Sequence, residues 1–365
     1  MSKIDSNYKQ SLRWAWRAIQ TVISFLPKSR NGISVWYGGA RAGDIGGPLV
    51  KVKRLKEHFP EQRYRHSIVY TLSNTPYLTK LAFKSLKSKN IPIVLNQNGV
   101  FYGAWFDGDW QEKNKEMSIA WINADHVFCQ SEFCLRCAET FLGNRTGETE
   151  ILYNAIDLEH FSPSTSVSQD REPTFLVTGK FDSHMFYRIE ASLRGFEIVR
   201  NSGLNAKIVI AGWMSNDCLK KCNQLIDALG VEEHTSLLGS YTQENAPDIY
   251  RSADVYLMLK HNDPCPNTVL ESLGCGLPVL YSNSGGVPEL APGLSGHPLE
   301  VDQSFEKTYT PSPEVIAMGM EAILQNLPER KIAARRRAIE AFDINKWVHR
   351  HRKVFDTLLA KNRTR

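Results

Sequence analysis

An alternation running almost end to end constrains this chain most. Short β-branched runs bounded by turn residues are each followed by a stretch of helical periodicity. Runs at 33–37, 67–71, 91–95, 126–129 and 151–153 read as strands, and 48–58, 78–88 and 131–141 as the helices between them. Repeated strand–helix units imply a parallel sheet covered on both faces. The rhythm breaks at the polar, Ser/Pro-rich stretch 162–173 and restarts with runs at 174–178, 206–211, 254–259 and 278–281. The expected fold is α/β, with two Rossmann-like, doubly wound parallel-sheet domains facing a cleft. Residues 1–165 form the first domain and 166–173 the linker. Residues 174–341 form the second, and a helix over 342–365 packs back across the domains. A length of 365 residues with 42% hydrophobic content suits two cores rather than one.

The net charge of +5 is a mild basic excess. It fits phosphate-bearing substrates or an anionic membrane surface and is too small to argue for nucleic acid. Seven cysteines are present. Cys134 and Cys137, and Cys218 and Cys222, lack a second pair or a histidine at zinc-site spacing, so they read as reduced, part-buried thiols. No metal and no cofactor are expected. Residues 12–26 are apolar-rich but broken by Arg13, Arg17, Gln20 and Ser24, with no cleavage site following. A cytoplasmic protein is expected, at or near the inner face of a membrane.

Doubly wound sheets bind ligands beyond the carboxyl ends of their strands, and segment 263–289 is the richest candidate. Asn267 and Glu271, four apart, share one helix face. Pro266 and Asn267 are good helix-start residues, so a helix N-terminus at 266–268 can seat a diphosphate. Glu271, one turn in, can accept hydrogen bonds from a ribose diol; alternatively it pairs locally and Asn267 is only an N-cap. Asp263 can accept from sugar hydroxyls, or be a turn aspartate. Gly179 and Lys180 end a strand and Arg188 opens the next helical segment. Both cations can neutralise a leaving diphosphate, or be solvated surface charges. Gly46 and Gly47, after the first strand, let backbone N–H groups approach a phosphate.

Taken in chain order, these motifs resemble those of the retaining glycosyltransferases of family 4, which have the GT-B fold. The match is strongest over 174–291. The family's acid-x7-acid pattern is Asp263 and Glu271 here, its glycine loop is Gly46-Gly47, and its cation pair is Lys180 and Arg188. Its Asn-Gly-Val-Asp…Phe-x-Pro segment stands as Asn154-Ala-Ile-Asp157…Phe161-Ser-Pro163. The resemblance implies that Glu271 binds the ribose and Asp263 the donor sugar. Gly179, Lys180, Arg188 and the backbone of Pro264, Cys265, Pro266, Asn267 and Thr268 would hold the diphosphate. It implies transfer of a hexosyl group, with retention, from a nucleotide-diphosphate sugar such as a UDP-sugar. The acceptor is expected to be a glycan or lipid-linked glycan in surface polysaccharide biosynthesis. The implied route is front-face, the leaving phosphate taking the acceptor proton. Two departures stand out. Asp263 is one methylene shorter than the family's glutamate, and Asn98 occupies the place of a histidine in many relatives. An amide there can hydrogen-bond but cannot act as a base near neutral pH. The rival readings are a sugar-nucleotide epimerase, a phosphorylase and a non-catalytic binding subunit.

The acceptor side is read at Asn98 and in the aromatic loop 101–110, with Tyr102, Trp105 and Asp107 as contacts; the alternative is a loop packing on its own domain. At the N-terminus, Leu12, Ala15, Trp16, Ile19, Val22, Ile23 and Leu26 fall on one helical face and Arg13, Arg17, Gln20 and Ser24 on the other. A basic, Trp-bearing amphipathic helix within 1–28 can lie on an anionic membrane. It can also dock on the protein's own core or on a second copy.

Overall fold

The computed structural model describes residues 3–29, 32–43, 47–164 and 171–361. Gly46 and most of the expected linker lie outside the described residues. The chain divides into two compact units, one comprising 1–153 with 345–365 and the other 154–344.

Unit 1 begins with α1 (Lys3–Ile23). It continues through β1 (Val35–Trp36), α2 (Gly47–His58), β2 (Ile68–Leu72), α3 (Lys80–Ser88), β3 (Ile93–Gln97), α4 (Trp110–Asn123), β4 (His126–Cys129), α5 (Glu132–Leu142) and β5 (Glu148–Ile151). Its sheet is parallel throughout, in the consecutive order β1-β2-β3-β4-β5. The helices start where hydroxyl side chains can satisfy free N–H groups: Thr79 accepts from Ala82 N and Ser131 from Cys134 N. The fifth strand forms at 148–151 rather than at the expected 151–153, because the ladder with β4 pairs His126 with Glu148 and Cys129 with Ile151.

Unit 2 holds β6 (Thr174–Phe181), α6 (Phe186–Asn201), β7 (Lys207–Met214), α7 (Asn216–Leu229), β8 (Thr235–Leu238), α8 (Ala246–Arg251), β9 (Val255–Met258), α9 (Asn267–Gly274), β10 (Val279–Ser282), α10 (Val287–Leu290), β11 (Gly296–Leu299), α11 (Pro313–Leu324) and α12 (Leu327–Ala341). The sheet is parallel, in the order β11-β10-β9-β6-β7-β8. Winding goes outward from β6 to β8, then restarts on the other side at β9, so the order reverses between β6 and β9. A core cluster is built on one face of these strands, with Phe175, Val177, Ile208, Ile210, Val255 and Leu257 against Phe196, Ile316 and Met320.

The sequence places the first domain's end at 165, but residues 154–164 pack with unit 2. Ile156 bridges to Asp343, Phe161 is buried, and Arg335 donates to the Phe161, Leu158 and Gly274 carbonyls. The last helix, α13 (Ile344–Lys361), belongs from Asn345 onward to unit 1. It lays His351 against Tyr70 and Phe128 and Phe355 against Tyr70, with Trp347 packed on His351, and Arg350 pairs with Glu150.

α1 is amphipathic as expected, and it turns most of its polar side chains, rather than its apolar ones, to the unit. Gln20 and Ser24 are buried, Arg13 and Arg17 bond Glu116, and Thr21 bonds Thr79. Leu12, Trp14, Ile19, Val22 and the following Phe25 are exposed. Trp16 and Ile23, read on the same apolar face, turn inward; Trp16 Nε1 donates to the Gly39 carbonyl at 3.1 Å.

Candidate active site

The reversal between β6 and β9 marks where a ligand can reach several strand ends at once. Most of the residues singled out in the second half of the chain come to this edge. Gly179 and Lys180 lie in the last three residues of β6, Arg188 lies in the first turn of α6, and 259–266 connects β9 to α9.

Glu271 sits one turn into α9 and is 2% exposed. Its Oε2 accepts from the Tyr250 hydroxyl at 2.9 Å and its Oε1 from Gln243 Nε2 at 3.3 Å. Tyr250 comes from α8 and is wholly buried. Burial, and then the charge of Glu271, pushes its phenol pKa well up, so it stays a donor. Burial likewise raises Tyr241 and Tyr256. Tyr256 OH lies 3.1 Å from Thr178 Oγ1, the residue before Gly179. A band of protonated hydroxyls thus lies between the Glu271 carboxylate and the end of β6. Neither Tyr250 nor Gln243 was singled out from sequence, because nothing local marks a tyrosine 21 positions before Glu271 as its partner.

α9 starts at Asn267, with Pro266 as the N-cap residue and no side-chain cap. An uncapped first turn presents N–H groups and the positive helix end. Asn267 is therefore the first helical residue rather than the cap, and its Oδ1 is buried without a hydrogen-bond partner among the described residues.

Arg188 is buried. Its Nη2 donates to the Thr178 carbonyl at 3.1 Å, and its guanidinium lies 5.1 Å from the Phe181 ring centroid. Its Nε is buried with no partner among the described residues. An orphaned buried donor on a guanidinium is costly, and an anion would relieve it. Lys180 is exposed, with Nζ 5.0 Å from the ring centroid of Trp213, its register partner on β7. That pairing requires Gly212: a Cβ there would come within 1.9 Å of the Gly179 carbonyl. Trp213 is half-exposed and was not foreseen, because the expected strand stopped at 211.

Asp263 Oδ2 accepts from Lys260 Nζ at 2.8 Å and its Oδ1 from Cys265 N at 3.2 Å. It closes a turn and pairs with a third cation that the motif reading passed over. Gly285 and Gly286 explain their place beside it. Gly286 N donates to the Asp263 carbonyl at 2.9 Å, and Gly285 has φ +68°, where a Cβ would stand 2.6 Å from the same oxygen. Asn154 Nδ2 donates to the Cys265 carbonyl at 3.1 Å and fixes the 264–266 turn.

In unit 1, the Asn98 amide is held from several sides. Its Oδ1 accepts from Gln130 Nε2 at 2.6 Å and from Asn96 Nδ2, and its Nδ2 donates to Asn74 Oδ1 at 2.8 Å. The aromatic loop packs largely on its own unit. Tyr102 is buried and stacks on Phe141, and Trp105 stacks on Phe101 at 4.9 Å and donates to the Val100 carbonyl. Asp107 is exposed, and Gly47 is the first residue of α2.

Known proteins resemble the chain in its second half and in its fold. Residues 161–334 match the family model of glycosyl transferases group 1. The gpi3 subunit of phosphatidylinositol N-acetylglucosaminyltransferase from Schizosaccharomyces pombe is 22% identical over 259 residues, covering 69% of this chain and 53% of that protein. A D-inositol 3-phosphate glycosyltransferase from Saccharomonospora viridis is 32% identical over 94 residues, covering 24% of this chain and 22% of its own length. The chain spans about half the length or less of these curated relatives. Among solved structures, sucrose-phosphate synthase from Thermosynechococcus elongatus superposes with a TM-score of 0.64 at 15% identity, covering 82% of this chain and 75% of that one. Anabaena HepE, solved with UDP, gives 0.64 at 15% identity, covering 85% and 82%. The fold of the chain is GT-B.

Proposed function

We propose that the chain is a retaining glycosyltransferase. It transfers a hexosyl group from a nucleoside-diphosphate sugar to a glycan or lipid-linked glycan in surface polysaccharide biosynthesis. The observation that carries this reading is the convergence of buried Glu271, the uncapped start of α9 and the orphaned Nε of Arg188 at the strand-order reversal of unit 2. In this reading Glu271 accepts from the ribose hydroxyls. The α9 N-terminus and the 264–268 backbone receive the diphosphate, with Gly179, Lys180 and Arg188 opposite. Developing charge on the leaving phosphate falls to Arg188 and Lys180, so positive charge comes from fixed side chains and no metal is required. Asp263, steered by Lys260, takes a hydroxyl of the sugar. The leaving phosphate accepts the acceptor proton, since the Asn98 amide cannot. Gly46, Gly47, Asn98, Trp105 and Asp107 remain proposed donor or acceptor contacts on unit 1. The buried ring of Tyr102 suits support of that loop better than direct contact.

The matched relatives named above include glycosyltransferases whose names specify inositol-containing acceptors, and HepE was solved with UDP. The test is a thermal-shift screen against common nucleotide sugars, followed by turnover assays with the best donor. A donor that stabilises the chain and is consumed only with an acceptor supports transfer. Stabilisation with no turnover or hydrolysis by any donor would favour a binding subunit.

A further inference from the structure

The polar face of α1 is spent on the protein, and most of its apolar side chains, apart from Trp16 and Ile23, are left outward. Leu12, Trp14, Ile19, Val22 and Phe25 are each about half exposed or more, on a helix whose arginines are turned in to Glu116. A helix that merely stabilised its own unit would bury the opposite face. No helix among the described residues is long and apolar enough to cross a membrane.

Beside α1 lies a groove of about 840 Å³ lined by Arg17 together with Lys80, Lys84, Lys87 and Lys115. Lys80, Lys84 and Lys87 are exposed on one side of α3 and make no ion pair among the described residues, whereas Arg17 is neutralised by Glu116 and Lys115 by Glu112. Leu81 on α3 and Ile122 on α4 add exposed apolar side chains beside the groove.

We infer that this surface docks on an anionic lipid bilayer, with the outward face of α1 in the acyl–headgroup boundary and the α3 lysines on the headgroup phosphates. The charge decides the occupant: three unpaired lysines beside an exposed tryptophan, isoleucine and valine match an anionic, apolar-backed surface. Two copies of this chain meeting through the same face would bring like charges together. The inference rests on α1 and α3, not on Glu271, and stands whether or not the chain transfers sugar.

The test is flotation of the 365-residue chain with vesicles of phosphatidylcholine alone or mixed with phosphatidylglycerol. Two triple variants are compared: Trp14→Gln with Ile19→Gln and Val22→Gln, and Lys80→Gln with Lys84→Gln and Lys87→Gln. All six side chains are exposed, and thermal melts check that both variants fold. Binding is expected on the anionic vesicles, with about tenfold or greater loss in each variant; the lysine variant should also lose the preference for anionic lipid. No flotation on anionic vesicles, or flotation equal in all three proteins, overturns the inference. So does an apolar variant that turns a dimer into a monomer by sedimentation while vesicle binding is unchanged, because the face would then join two copies of the chain.

Discussion

The hydroxyl of Tyr250 donates to Glu271 Oε2 at 2.9 Å inside unit 2, and neither group is open to solvent. This bond fixes the carboxylate that the proposed ribose contact needs. Tyr250→Phe removes one donor to a charged acceptor, a loss of about 1.5–3 kcal/mol. The Michaelis constant for the donor should rise about tenfold or more with a smaller change in kcat. An unchanged donor constant would place Glu271 outside the nucleotide site.

How much of this was legible in the sequence depends on where each element lies. The acid pair, the helix start at 266–268 and both cations were readable because each is a local pattern next to a strand end. β8 and β11 were not read as strands, and these are the two edges of the second sheet. Edge strands bury less and tolerate polar residues, glycine and proline, as Thr235, Ser236, Gly296 and Pro298 show. Tyr250 and Gln243 were missed for a different reason: their roles arise from tertiary pairing with Glu271, which leaves no trace in spacing. Lys260 stands only three residues before its partner Asp263 and was passed over, and Trp213 lies beyond the run read as a strand. The amphipathicity of α1 was visible, but which face points outward is decided by Glu116 and Thr79, far away in the chain.

Gly285 should tolerate no side chain. Alanine there would sit at φ +68°, with its Cβ 2.6 Å from the Asp263 carbonyl. The left-handed backbone alone costs about 1–2 kcal/mol, and the contact is with backbone that cannot swing aside. Gly285→Ala should lower the melting temperature and reduce turnover by displacing Asp263. A variant with wild-type melting and rate would mean that the 263–266 loop is not held by this glycine.

Arg188→Lys keeps the charge but loses the planar fork that reaches the Thr178 carbonyl and presents Nε. Donor turnover should fall by about tenfold or more. A lysine that restores full turnover would reduce Arg188 to a point charge.

Stability should fall with acid through two histidines of unit 1. Burial pushes the His351 pKa down to about 3 and that of His66 to about 4, so both are neutral when folded. The unfolded chain takes up these protons below about pH 6.5, so it binds more protons than the folded one and stability drops as pH falls. Each contributes at most about 1.4 kcal/mol per pH unit, between pH 6.5 and its own folded value. His351→Gln, which can still hydrogen-bond Tyr70, should flatten the acid limb of melting temperature against pH. An identical slope would mean that His351 is protonated in the fold.

The most direct measurement is calorimetric titration of the nucleoside diphosphate of the best donor into the wild-type chain, Glu271→Ala and Arg188→Ala. The account predicts saturable binding to the wild type and a loss of about tenfold or more in each variant whose melt shows it is folded. Equal affinity in all three would contradict it, because the nucleotide would then bind somewhere other than the start of α9.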